Sequence, residues 1–521
     1  MWKRAAAALL PLLLLLALPL ALRPSRDDAG ASAGADTLVI ITPHTEQIRR
    51  EFEHAFRRHY HALTGRTVVI DWRSVGGTSD IVRYIADRFE AQFRLDYMRS
   101  GGKWDKRAAA DFRDPKLEPG QNAVRDAFLA SETGIGIDLF FGGGTYDHSR
   151  FARIGFAVPG GVEQRHPEWF RPDIMPLSHA GEAIRDPLGR YYGVCLSSFG
   201  LAFNPDRLEE AGLPRPARWA DLTDGAYFQK TEIADPTKSG SINKCYEMIL
   251  QQSMGEHGPE KGWLEGFGII KLIAANARGV TDSAGKLVRD VSAGMAAAGM
   301  GIDFYVFSEA EFTKGVSGGA ERILYRMPEN GSSVSADPVQ LLRGAPNRKV
   351  AEAFLDFLLS EEGQKLWLLK AGVPGGPEKT ALLRPCVRRD LYGKIPVEQR
   401  SIGAYDPYES SGTFQYHGEW TGRLFNLIRV LIKCLVLDPQ DPLREAWGAV
   451  LENGGPERNP ASMELIRAMP FDLAHADEAS ALLSSSPEKA AELRRKWTEF
   501  ARKNYRKAAL LAREKGKEAV R

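Results

Sequence analysis

Gly136-Ile137-Asp138-Leu139-Phe140-Phe141-Gly142-Gly143-Gly144-Thr145 reads as a short buried strand running straight into a triple glycine. Ile, Leu and Phe without polar alternation suit a sheet covered on both faces. Three glycines at the carboxyl end permit positive φ and bring bare backbone close to a ligand. Open α/β sheets collect ligands at such strand ends. The competing reading is a plain loop whose glycines only turn the chain.

Working outward, the same unit recurs. Leu38-Val39-Ile40-Ile41 is a buried strand. It leads through Thr42-Pro43-His44-Thr45 into a helix with Ile48, Phe52, Ala55 and Phe56 on one face, which Thr45 can cap. Val68 to Trp72 is a second strand, followed by Ser74-Val75-Gly76-Gly77-Thr78-Ser79 and a helix bearing Ile81, Val82, Ile85 and Phe89. Free N–H groups and the dipole make such helix starts anion sites, against the plainer reading of Thr78 or Ser79 as caps. Gln92 to Asn122 is polar and broken by Gly and Pro, and reads as a surface insertion.

Tyr191 to Asn204, with Ser197 at its centre, reads as a strand crossing between two lobes, and Val334 to Leu342 as a second crossing. Between them, Ile233 to Ser241 is another strand end with a hydroxyl-rich loop holding Ser239 and Ser241. Gly299 to Val306 is a buried strand with an aromatic end at Phe304-Tyr305. Asn347 caps a helix through Leu358, and Ser360 starts the next. From about Leu391 the chain turns helical: Leu424 to Leu437 is apolar with a polar stripe of Asn426, Arg429 and Lys433, and Pro487 opens a long final helix. This last helix interleaves Lys and Arg with Glu, as a solvated face does.

Length and composition agree with this map. The 521 residues suffice for two to four domains, and 43% hydrophobic with 26% charged residues is a globular balance. A net charge of +2 argues against a nucleic-acid binder built on bulk electrostatics. Lys3 and Arg4 precede an apolar run from Ala5 to Leu22, then a small-residue polar stretch: an export signal, cleaved at Ala31-Ser32-Ala33 or Ala33-Gly34-Ala35, or else retained as an N-terminal anchor. Cys195, Cys245, Cys386 and Cys434 are too widely spaced for a zinc site, and their spacing leaves free thiols and disulfides both open.

Taken together, Leu38 to His44, Val75 to Ile81, Ile137 to Thr145, Gly193 to Asn204, Ala234 to Ser241, Gly301 to Tyr305, and the run from Gly344-Ala345-Pro346-Asn347 to Ser360-Glu361-Glu362-Gly363-Gln364 resemble an extracytoplasmic solute-binding protein of an ABC importer. The resemblance is to the ferric-iron-binding-like, type II periplasmic binding protein group. It implies an α/β fold of two lobes joined by crossing strands, closing on ligand by hinge motion. Residues 1–36 are then the signal or anchor, 37–190 with 334–390 lobe 1, 191–333 lobe 2, and 391–521 a helical C-terminal extension. It also implies a periplasmic monomer that takes a small-molecule solute to an ABC permease in the inner membrane, with no cofactor, nucleic acid or enzymatic chemistry.

Iron-binding members of the group use a His in the first loop, a Glu in the third-strand loop and adjacent tyrosines. Here His44 falls at the His position, Gly143 where the Glu would be, and Phe304-Tyr305 at the tyrosine pair. One phenol, one imidazole and a glycine are too few for a hard trivalent cation, so no metal is expected. The expected ligand-binding set is His44, Thr78, Ser79, Gly142, Gly143, Gly144, Thr145, Ser197, Ser239, Ser241, Asp303 and Tyr305. Hydroxyls and backbone N–H nests suit an oxyanion-bearing organic solute such as a phosphonate or sugar phosphate, and also accept carboxylates and sugars. Asp303 and Trp72 leave room for an amine or a neutral solute. The alternative function is a periplasmic sensor that reports a solute to a membrane partner, motivated by the extension. No nucleophile elbow or paired carboxylates accompany His44, which argues against an enzyme.

Overall fold

In the computed structural model, residues 34–118, 120–316 and 318–520 are described. The export signal and its cleavage sites fall almost wholly outside them. Strand β1 (Asp36–Ile41) pairs in parallel with β2 (Val68–Arg73) and β3 (Leu139–Phe141). Strand β4 (Tyr192–Phe203) is buried over its whole length. The strands β5 (Thr231–Ala234), β6 (Ala277–Thr281) and β7 (Ala298–Ile302) follow, and β8 (Val334–Leu342) returns. Their order across the sheet is β2-β1-β3-β8-β4-β7-β5-β6.

Two strands join the lobes. The first half of β4 runs antiparallel to β8, with Ser197 opposite Ser335, and its second half runs antiparallel to β7. Pro338 cannot donate to the ladder, and the β8 register shifts between Asp337 and Pro338. The freed geometry lets the Pro338 carbonyl accept the Gly142 N–H at 2.7 Å, so β8 holds the triple-glycine loop.

Helix α1 (Glu46–Thr64) and α2 (Thr78–Arg99) cover opposite faces of the lobe 1 sheet. The expected caps at their starts differ. Thr45 makes no side-chain cap; Thr42 Oγ instead accepts the His44 N–H at 3.0 Å. Gly77, not Thr78 or Ser79, precedes α2, and Asp80 closes the turn by accepting the Gly77 N–H. Asn347 likewise makes no side-chain cap: its amide donates to the buried Asp138, which also accepts the Val39 N–H and so ties three segments of lobe 1 together.

The stretch from Gln92 to Asn122 is not a surface insertion. Phe93, Trp104 and Phe112 stack with Phe128 and Phe156 in a cluster that fills one face of lobe 1. Polar composition concealed it because four rings suffice to anchor a segment whose other residues stay wet.

The C-terminal extension is not a separate body. Leu391, Tyr392, Ile395, Ile402 and Tyr408 enter the lobe 1 core. Beyond them Leu424, Leu431, Trp447, Tyr505 and Ala512 share one continuous core with the lobe 2 residues Trp219, Tyr246 and Trp263. All four cysteines are buried free thiols. Among the described residues no helix is long and apolar enough to cross a membrane.

Because lobe 2 and the extension share a core, a chain ending at residue 390 is expected to lose its cooperative thermal transition. Trp447→Ala, which empties a site 1% exposed, should cost about 3–5 kcal/mol in denaturant titrations. A truncated chain that unfolds cooperatively would contradict the shared core.

Candidate functional site

Three strand ends of lobe 1 converge. Gly142 and Gly143 adopt φ of +91° and +99°, a region open chiefly to glycine. A Cβ at Gly142 would lie 2.5 Å from His44 Nε2, and one at Gly143 would lie 2.8 Å from Thr78 Cγ2. Gly142 and Gly143 are therefore set by positive φ and by close approach of the two neighbouring loops, whereas Gly144 is extended with open space around its Cα. A carboxylate-bearing residue at 143 would strain the backbone, so the iron-type Glu does not fit without rebuilding the loop. Helix α3 (Thr145–Ile154) starts directly after it, and Thr145 Oγ donates to the Ala336 carbonyl of β8 at 2.9 Å.

Lobe 2 presents the opposing wall. Ser239 caps helix α4 (Gly240–His257), accepting the Ile242 N–H, with its hydroxyl 3.1 Å from that of Ser241. Helix α7 (Asp303–Val316) begins at the end of β7 and brings Phe304 and Tyr305 to the same region. Tyr305 is 38% exposed.

The floor between the walls holds a residue that sequence reasoning passed over. Arg384 is 1% exposed and lies between the two crossing strands. Its Nη2 donates to Asp337 of β8 at 2.6 Å and to Ser197 of β4 at 2.7 Å. Its guanidinium stacks 4.3 Å from the Phe304 ring and 5.7 Å from that of Trp367. Burial works to lower its pKa, but Asp337, with Cys195 and Asp303, holds it above the ordinary arginine value. The only sequence signal was a lone Arg in the apolar run Leu382-Leu383-Arg384-Pro385-Cys386.

Three buried nitrogens around this floor have no protein partner among the described residues: Arg384 Nε, Trp367 Nε1 and His44 Nε2. The His44 ring lies 5.9 Å from that of Trp367 and 4.6 Å from that of Phe141. Burial first, then the charges of Arg384 and Arg49, pushes the His44 pKa well below its usual value, so the ring is neutral near pH 7. Arginine and tryptophan are donors only. The floor is thus rich in N–H donors and short of acceptors, which suits an incoming oxyanion.

Of the expected set, Ser197 bonds Arg384, His44 lies beside Trp367, and Gly142 and Gly143 pack against His44 and Thr78; Gly144 and Thr145 start α3, Tyr305 follows Phe304, and Ser239 and Ser241 stand at the start of α4 in lobe 2. Ser79 is exposed at the α2 start and makes no polar contact among the described residues. Asp303 is corrected. It is fully buried, and its carboxylate accepts the Ser198 N–H and hydroxyl and the Phe304 N–H, so it does not meet a solute amine. Burial raises its pKa to about 7 against the opposing donors and Arg384. Among the described residues no three His, Cys, Asp or Glu side chains form a metal-ligating group.

The comparisons follow the same outline. Residues 171–388 match the family described as bacterial extracellular solute-binding protein. The chain is an α/β protein whose two crossing strands agree with the two-lobe fold that the resemblance implies. The Phosphoglycerate transport regulatory protein PgtC of Salmonella typhimurium is 26% identical over 248 residues, 46% of this chain and 56% of that protein. The chain therefore spans little more than half the length of that curated relative. The Fe(3+)-binding periplasmic protein of Serratia marcescens is 23% identical, covering 46% of this chain and 70% of its own length. The solved iron-bound HitA of Pseudomonas aeruginosa is 15% identical, with a TM-score of 0.48 over 76% of this chain and 98% of its own. The 171–388 match takes in both crossing strands and Arg384.

The raised pKa of Asp303 predicts a pH dependence. The folded state holds that proton more tightly than the unfolded chain, whose carboxyl titrates near 3.8. Its contribution is full below pH ~4 and is lost as pH rises through 7. Asp303→Asn should flatten the wild-type loss of stability between pH ~4 and ~7, by at most about 1.4 kcal/mol per pH unit. Parallel stability profiles would show Asp303 ionised throughout.

Proposed function

We propose that the protein is the substrate-binding component of an ABC importer, exported to the periplasm, where it captures an oxyanion-bearing organic solute between its lobes. The observation that carries this reading is the buried Arg384 on the cleft floor, with its own Nε and Trp367 Nε1 lacking protein acceptors and His44 Nε2 beside them lacking a protein partner. Leaving buried donors unpaired costs about 1–3 kcal/mol each, and a bound oxyanion would remove that cost. The walls add hydroxyls and two helix starts, α3 and α4, whose dipoles favour negative charge. The matched family and the relatives' names concern binding and transport, which agrees with a solute-binding cleft. Bare ferric iron fits poorly, since Gly143 and Phe304 stand where anionic oxygen ligands are needed.

A second reading is a solute sensor that reports to a membrane partner. The relative named as a transport regulatory protein favours it. Both readings share the same cleft. Ligand-dependent stimulation of a permease's ATPase in reconstituted vesicles would support import, and its absence with intact binding would favour the sensor.

Native mass spectrometry of protein purified without refolding, then a thermal-shift panel, tests the ligand class. The panel takes sugar phosphates, 3-phosphoglycerate, phosphonates, inorganic phosphate, carboxylates, polyamines and ferric salts. An organic oxyanion at 100 times its Kd should add about 2.7 kcal/mol of stability. Arg384→Lys keeps the charge but loses the forked geometry, and should abolish the shift. A shift with ferric salts alone, accompanied by a tyrosinate charge-transfer colour, would overturn the assignment.

A further inference from the structure

The extension reaches the cleft as well as the lobe 2 core. Helix α8 (Phe425–Ile432) places Phe425 between the two walls. Its ring lies 6.0 Å from that of Tyr146 in the first turn of α3, and its carbonyl accepts the Asn243 side-chain N–H in the first turn of α4 at 2.9 Å. One turn further, the Arg429 guanidinium stands 5.2 Å from the Phe425 ring. Another turn on, Lys433 is 3.4 Å from Asp235, at the carboxyl end of β5. The polar stripe of this apolar helix thus runs along both walls of the cleft.

Arg429 is partly buried, yet among the described residues its side chain makes no hydrogen bond and no ion pair within 4.0 Å, and its Nε is buried without an acceptor. Nearby Asp147 attracts it only at a distance, and burial raises the Asp147 pKa to about 6. Asn243 is fully buried with its Oδ1 also lacking a partner. A half-buried guanidinium whose Nε lacks an acceptor and a buried amide oxygen short of a donor stand on either side of Phe425. A buried polar atom left without a partner is costly, so both favour an incoming group that would pair them.

We propose that Arg429 is a solute-binding residue, supplied by the C-terminal extension across the cleft mouth, and that with Asn243 it selects a hydroxylated organic anion. This rests on the solute-binding reading above. Arg384 would take an oxyanion at the floor; Arg429 would take acceptor oxygens at the far end, and Asn243 Oδ1 a hydroxyl. Inorganic phosphate would reach only the floor.

The test compares the full-length wild type with Arg429→Leu, using calorimetric titration with 3-phosphoglycerate, fructose 6-phosphate and inorganic phosphate, plus the melting temperature without ligand. The expected result is at least a tenfold loss of affinity for an organic phosphate, little change for inorganic phosphate, and an unliganded melting temperature that is unchanged or raised. Equal affinities for an organic phosphate would overturn the proposal. So would a melting temperature lowered by several degrees, which assigns Arg429 to the fold. Should the wild type bind none of the three, the oxyanion reading of the cleft fails separately. The unliganded melting temperature then decides: no loss supports a contact residue free of structural duty, and a loss overturns it.

Discussion

The bond pattern of Arg384 is the constraint on which the cleft depends. One guanidinium spans Ser197 and Asp337, which belong to the two strands that join the lobes. A charge this deeply buried is tolerable only when paired, and Asp337 provides the pairing. The geometry uses one nitrogen of the fork for both crossing strands and leaves Nε without a protein acceptor. The same residue therefore fixes the crossing and offers a donor to a ligand. Its charge also adds to burial, the larger cause, in keeping the His44 ring neutral.

Around that floor, backbone conformation rather than side-chain chemistry shapes the nearer wall. Positive φ at Gly142 and Gly143 lets the loop turn under His44 and against Thr78, and the Pro338 carbonyl holds it there. The farther wall is built from lobe 2, and lobe 2 is completed by the extension. Tyr416 and Thr421 both donate to the buried Glu247 of α4, and Lys244 lies between Glu247 and Glu182, on a hairpin of lobe 1. Lobe 1, lobe 2 and the extension meet in this one buried ionic cluster. The extension thus bears on how far the lobes can part.

Much of this was legible in the sequence because it follows from short-range rules. The runs Val334 to Leu342 and Tyr191 to Asn204 read as crossings because they are long extended stretches, and the structure makes both of them strands that pair with each other. The strand-loop-helix units also put His44, Thr78 and Gly142 together, where their loops touch. What failed needed tertiary context. Arg384 gave no periodic signal, and its role exists only where Asp337 and Ser197, each more than forty residues away in sequence, come together. Asp303 looked available at a strand end, yet the neighbouring strand's Ser198 takes its carboxylate. The segment holding Trp104 and Phe112 looked like a wet insertion because three or four aromatic anchors are diluted by polar neighbours. The extension was visible as a change of character near Leu391, but its shared core with lobe 2 was not.

A crystal structure of the protein purified from its source without refolding tests the central claim most directly. The account predicts density for a small organic anion between Arg384, Trp367 and His44, with oxygen atoms within hydrogen-bond distance of their free nitrogens. A metal ion bound through Tyr305 and His44, or a ligand that leaves Arg384 Nε without an acceptor, would contradict it.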